Sequence, residues 1–192
     1  MIMPKPIIGL SGTFASGKDT LADYLVERCN FMHLSTGDLV REEAMRLRGS
    51  VERPVLFEVA NQLRREKGAG VIIQIALERF AAAPQYDGIV ISGIRSIGEV
   101  EAVHAAGGRM VFVDAPVEVR YNRMASRQRD KESLLSLEEF RAGEEKESHV
   151  DPSDKTIQNL PAMKEMADIR LDNSGELQTF IDTALQALAL TK

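Results

Sequence analysis

A short apolar run, Ile7 to Ser11, leads straight into the stretch Gly12-Thr-Phe-Ala-Ser-Gly17-Lys18-Asp19-Thr20, and a helical pattern follows at once. Glycines at both ends let the backbone turn with successive N–H groups facing inward, while the start of the next helix adds the positive end of its dipole. Lys18 brings a point charge to the same place. Such a loop is built to cradle an oxyanion, and it works only between a strand and a helix. The chain must therefore fold around a sheet whose first strand runs into this loop.

The rest of the sequence supplies that sheet. Apolar runs of strand length occur at Ile7 to Leu10, Phe31 to Leu34, Gly88 to Ile91, Arg109 to Val113 and Asp168 to Leu171. Helical periodicity lies between them, at Thr20 to Arg28, Asp38 to Arg48, Val55 to Lys67, Val71 to Ala82, Gly98 to Ala106, Val117 to Arg127 and Glu176 to Leu190. Alternation of this kind predicts an α/β protein with a parallel sheet. The runs are rich in Ile and Val and nearly free of alternating polar residues, so they read as strands covered on both faces of a three-layer αβα sandwich. The 192 residues suit a single domain. Two segments stand outside the alternation. Residues 39–83 form a helical insertion broken at Val51 to Pro54. Residues 127–151 are dense in charge, fitting a solvated helical hairpin, and follow the fourth strand's helix, a position that fits a mobile lid. The core is then 1–38, 84–126 and 152–192.

Charge and cysteine content narrow the class of partner. A formal net charge of −5 gives no electrostatic footprint for nucleic acid or an anionic membrane surface, so an anionic ligand must meet local positive charge. The single Cys29 makes neither an internal disulfide nor a zinc cluster, and the N-terminal apolar run is too short for a signal peptide or membrane span. The expectation is a cytoplasmic protein, monomeric or homodimeric, with Cys29 as a packed residue.

In its strand-helix setting, residues 12–20 resemble a Walker A phosphate loop, which implies ATP held by Gly12, Ala15, Ser16, Gly17, Lys18, Asp19 and Thr20. One position departs from the usual pattern: Asp19 follows the lysine, where a Ser or Thr normally serves Mg²⁺. The third strand departs in the opposite sense, with Ser92 where a carboxylate usually stands. The two changes can compensate, with Asp19 ligating Mg²⁺ and Ser92 as a hydroxyl or water-mediated partner. The alternative gives the metal to the Thr20 hydroxyl and leaves Asp19 as a helix cap.

Further segments resemble the nucleoside monophosphate kinases. His33-Leu-Ser35-Thr36-Gly37-Asp38-Leu-Val-Arg41 is similar to the HxSTGDxxR segment of adenylate kinase and its relatives, which implies Thr36 and Arg41 as acceptor contacts. Asp38 reads either as a helix cap or as a general base. Ser92-Gly93-Ile94-Arg95 resembles the DGxxR element of the same enzymes, which implies Arg95 as an acceptor-phosphate clamp. Its alternative is a surface ion pair with Glu99 or Glu101. The string from Ile94 to Val103 resembles an archaeal P-loop kinase family related to dephospho-CoA kinases, and the SGKDT loop is similar to that of phage deoxynucleoside monophosphate kinases. Arg123 and Arg127 share a helix face and resemble the RxxxR at a nucleotide kinase lid, which implies catalytic arginines. Ala167-Asp168-Ile-Arg-Leu-Asp172-Asn173-Ser174-Gly175 resembles the end strand of dephospho-CoA kinases, which implies that Asn173 and Gly175 approach the donor base through their backbone. A turn and helix start is the alternative.

Together these resemblances imply a P-loop kinase with sheet order 2-3-1-4-5. The implied activity is transfer of the γ-phosphoryl group of ATP, with Mg²⁺, to a small nucleotide-like acceptor. The implied catalytic set is Lys18, Asp38, Arg123 and Arg127. A nucleoside or deoxynucleoside monophosphate is the first acceptor, dephospho-CoA the second, and a non-catalytic NTP-binding regulator the remaining alternative.

Overall fold

The computed structural model describes residues 4–126, 136–148 and 154–190. Strands β1 (Ile7–Gly12), β2 (Phe31–Ser35), β3 (Gly88–Ser92), β4 (Arg109–Asp114) and β5 (Ile169–Asp172) form one all-parallel sheet in the order β2-β3-β1-β4-β5. Each strand runs one or two residues past the expected C-terminal end. Those extra positions carry Gly12, Ser92 and Asp114 to the edge of the sheet where open α/β folds bind ligands.

The described helices are α1 (Lys18–Cys29), α2 (Thr36–Arg48), α3 (Arg53–Lys67), α4 (Val71–Ala81), α5 (Ile97–Ala105), α6 (Val117–Ser126), α7 (Leu137–Ser148), α8 (Leu160–Met166) and α9 (Leu177–Leu188). Alternation along the strands divides the apolar residues between two cores. Ile8, Leu10, Val90, Val111 and Val113 face α1 and α9, where Leu21, Leu25, Phe180 and Ile181 are buried, and Cys29 packs partly buried against this side. Ile89, Ile91, Met110 and Phe112 face the other way, against Leu39, Val59, Leu63, Ile72, Val103 and Met163 from α2, α3, α4, α5 and α8. This is the αβα sandwich.

The expectation of full coverage holds for β1, β3 and the inner part of β4 and needs correcting at the edges. In β5, Ile169 and Leu171 are buried while Arg170 and Asp172 are exposed, and β2 is only half-buried beyond Phe31. A strand with one neighbour has less to cover it. A second correction is α8, which no helical period had signalled. It starts because the Asn159 side chain accepts from the Ala162 N–H and Pro161 fits the first turn, where a missing N–H costs nothing. Within the charged segment α7 is helical, and a small separate core joins its Phe140 to Ala15 and Met124. Arg127, and the rest of 127–135 and 149–151, lie outside the described residues. No described helix is long and apolar enough to cross a membrane.

Candidate functional site

The loop after β1 is fixed from outside by its pairing with β4 and by three side chains from two other segments, α6 and the end of β5. Gly12 pairs with Val113 in the β4 register so closely that a Cβ would stand 2.2 Å from the Val113 carbonyl oxygen. Ala15 and Gly17 both have positive φ, 58° and 95°. The buried Asn173 donates through Nδ2 to the Ser16 carbonyl at 2.7 Å, and Arg123 donates to that carbonyl at 3.3 Å and to the Asn173 carbonyl at 2.8 Å. Arg120, itself buried, donates to the Phe14 carbonyl at 3.3 Å and to that of Ala115 at 2.8 Å. A trans peptide points its N–H opposite its C=O. Holding the Phe14 and Ser16 carbonyls outward therefore turns the Ala15 and Gly17 N–H groups into the loop. The Ser16 hydroxyl is buried there with no protein partner. A buried polar atom left in that condition is what an oxyanion site provides for its ligand.

Lys18 opens α1 and is nearly buried, its Nζ 3.7 Å from Asp19 Oδ2. The Asp19 carboxylate is exposed. The residue at the helix cap is Gly17, so the alternative that Asp19 caps the helix is corrected: it is the second residue of the first turn, two places past the cap. At the end of β3, the Ser92 hydroxyl and His33 Nε2 lie 2.8 Å apart. At the end of β4, Asp114 accepts from Thr13 at 2.9 Å and from Lys164 at 2.9 Å. Burial pushes the Asp114 carboxyl up, but the Lys164 ammonium and the Thr13 hydroxyl outweigh it and hold it below its ordinary value.

The structure separates the expected acceptor residues. A cleft of about 100 Å³ is lined by Gly12, Phe14, Lys18, Arg95, Gln158 and Leu160. Arg95 and Lys18 both line it. The ion-pair alternative for Arg95 is corrected, because Glu99 is taken by Arg64 at 3.2 Å and by the backbone N–H of Arg95, and Glu101 by Lys155. Thr36 and Arg41 do not line this cleft. The Thr36 hydroxyl donates to the Gly93 carbonyl at 2.8 Å, and Arg41 folds onto Asp38 at 2.6 Å, both exposed. Asp38 is the third residue of α2, after the cap residue Ser35, so the cap role is corrected here too.

Asn173 differs from the expectation as well. Its N–H donates to the Asp114 carbonyl at 2.8 Å and its own carbonyl accepts from Arg123, so its backbone is spent within the fold. Gly175 lies exposed at the following turn. Sequence reasoning missed Arg120, the Asn173 side chain, Asp114 and Gln158. Of these only the last had a nearby signal, the helix start Asn159-Leu-Pro161.

Residues 8–148 match the AAA domain family. The chain is 35% identical over 136 residues to a UPF0200 protein of Pyrobaculum aerophilum, covering 70% of this chain and 72% of that one. The chain belongs to the AAA domain and UPF0200 families. Over 192 residues it is 28% identical to the UPF0200/UPF0201 protein of Archaeoglobus fulgidus, spanning 98% of its own length but only 56% of that relative's. Among solved structures, this UPF0200 chain is similar to TT1252 from Thermus thermophilus, with a TM-score of 0.59, 23% identity and 96% of each chain covered. A gluconokinase from Sinorhizobium meliloti 1021 gives a TM-score of 0.52 at 17% identity, covering 97% of this chain and 93% of that one. A shikimate kinase from Acinetobacter baumannii in complex with shikimate gives 0.52 at 18%, covering 96% and 92%. The fold is thus the P-loop NTPase αβα fold.

Proposed function

We propose that the chain is an ATP-dependent small-molecule kinase whose acceptor presents an anionic group to Arg95. One observation carries this reading: Arg95, from the end of β3, shares a cleft with the phosphate-loop lysine, Lys18. An acceptor anchored on Arg95 would stand next to the γ-phosphoryl group of a donor in the loop, and such positioning is the main part of phosphoryl-transfer catalysis.

The roles divide by segment. The inward N–H groups of Ala15 and Gly17, the Ser16 hydroxyl and Lys18 would hold the donor phosphates, with Lys18 neutralising charge on the β- and γ-oxygens. Arg123 and Asn173 would act through the loop, keeping its carbonyls turned out. Arg127 would supply charge to the transferring group. Residues 39–83 would cover the acceptor and 127–151 the donor as a lid, with Asp38 as a proton acceptor once released by Arg41.

No group of three or more His, Cys, Asp or Glu among the described residues could hold a metal by itself. That suits an ion carried in mainly on phosphate oxygens and water, for which the exposed Asp19 carboxylate is the available protein ligand and Ser92, engaged by His33, the neighbour. Mg²⁺ bound there would supply charge neutralisation on the transferring group. A nucleoside or deoxynucleoside monophosphate is the proposed acceptor and dephospho-CoA the second candidate. ADP release measured over all ribo- and deoxynucleoside monophosphates and dephospho-CoA tests this. A single acceptor class raising turnover well above ATP hydrolysis is the expected result, and no acceptor raising it would remove the kinase reading.

A further inference from the structure

The cleft has a wall that no motif announced, the segment from Asp154 to Met166. It is fastened on both sides of the phosphate loop. Toward β3 and α5, the Lys155 carbonyl accepts from the Gly98 N–H at 3.1 Å, the Asn159 N–H donates to the Arg95 carbonyl at 2.8 Å, and the Lys155 ammonium meets Glu101 at 2.6 Å. Toward β4, Lys164 meets Asp114 at 2.9 Å. Asn159 is buried, and Leu160 beside it lines the cleft. So fixed, the segment brings the exposed Gln158 over the mouth of the cleft, where its Oε1 accepts from Arg95 Nη1 at 3.2 Å.

The chemistry of that contact is selective. Among the described residues Arg95 meets no carboxylate, and its side chain is bonded only to a neutral amide. Its charge remains available to a ligand. Gln158 has one acceptor oxygen and two donor hydrogens, and Arg95 takes one of the oxygen's two lone pairs, which turns the oxygen toward the guanidinium. The amide hydrogens and the remaining guanidinium N–H groups are then the donors the pair offers beside Lys18. We propose that Gln158 is a specificity-determining residue of the acceptor site: with Arg95 it forms a donor-rich receptor for an anionic group, phosphate or carboxylate. This rests on the kinase reading for its place in catalysis, and the binding itself can be tested without turnover.

The test is titration of the whole chain, with ADP already bound, by inorganic phosphate and separately by acetate. The Gln158 side-chain amide would be followed by NMR and identified by its loss in Gln158→Leu. Saturable movement of that amide is expected, and which anion produces it separates a phosphate from a carboxylate acceptor. Gln158→Glu places a carboxylate on Arg95 and should weaken the anion at least ~10-fold, Gln158→Leu by about 3–10-fold, with ADP affinity changed less than about twofold. Thermal melting that matches the parent in both variants excludes a merely structural effect. Anion affinity unchanged in Gln158→Glu, or no movement of the amide with either anion, would overturn the proposal, as would a parallel loss of ADP affinity, which would put the anion in the phosphate loop. Failure of the parent to bind ADP would instead remove the donor-site reading, so the two failures are distinct.

Discussion

The two halves of the site are held in different ways. On the donor side, the Ser16 carbonyl takes bonds from both Asn173 and Arg123, the Phe14 carbonyl takes one from Arg120, and Asn173 and Arg120 are buried. On the proposed acceptor side, Arg41 and Asp38 pair with each other at the surface, and Arg95 bonds to an exposed glutamine. Buried bonds keep nearly their full strength and leave costly orphans when cut, whereas exposed pairs contribute ~0–1 kcal/mol and rearrange freely. Rigidity is therefore concentrated in the loop, which suits a donor group that is always the same, while the proposed acceptor side would be free to adjust.

The sharpest way to break this contrast is to compare the two acceptor arginines. Arg95→Ala should raise the acceptor KM by about 10–100-fold, as loss of a charge-assisted bond of ~1.5–3 kcal/mol implies, with donor KM little changed. Arg41→Ala should change it less than about threefold, since Asp38 already holds that guanidinium. Equal effects from the two would show that Arg41 leaves Asp38 and closes on the acceptor. Next in size, Asn173→Ala should cost about 0.5–1.5 kcal/mol in chemical denaturation and weaken ATP more than acceptor, because it removes the shorter of the two bonds to the Ser16 carbonyl, leaving only the longer one from Arg123, and loosens the loop. A loss of acceptor affinity alone would contradict the division.

Asp19→Ala should lower activity in a way that excess Mg²⁺ partly restores, by mass action on a weakened metal site. Normal Mg²⁺ dependence would move the metal ligand to Thr20. The smallest effect concerns pH. Asp114 has a depressed pKa in the folded chain, so its contribution is present above the unfolded carboxylate value and lost as pH falls through the folded one. Asp114→Asn should therefore lower the melting temperature near neutrality and flatten its fall in acid, and an unchanged acid limb would remove Asp114 from the coupling of Thr13 to Lys164.

Much of the donor side was legible in the sequence because its determinants are local. Ile7 to Thr20 carry strand, loop and helix start in consecutive residues, and the sheet order followed from the resemblance that this run brings. What stayed hidden depends on distant contacts. Asn173 lies 157 positions from Ser16, and nothing in Asn173-Ser174-Gly175 distinguishes a turn from a side chain bonded across the molecule. Arg41 carried a motif match, yet Asp38 three residues earlier was enough to hold it at the surface. Gln158 carried no pattern of its own beyond the helix start that follows it. Its importance comes from Asn159 and Lys155, whose backbones fasten the segment to Arg95 and Gly98.

On the kinase reading, Lys18 and Arg95 bring a γ-phosphoryl group and an anionic acceptor together in one cleft. This is tested most directly by following label from [γ-³²P]ATP with the parent chain and with Lys18→Ala, over the nucleoside monophosphates and dephospho-CoA. The account predicts label on an acceptor, and transfer reduced by about 10²–10³-fold in Lys18→Ala without loss of fold. Label appearing only as inorganic phosphate with every acceptor, or near-normal transfer by Lys18→Ala, would contradict it.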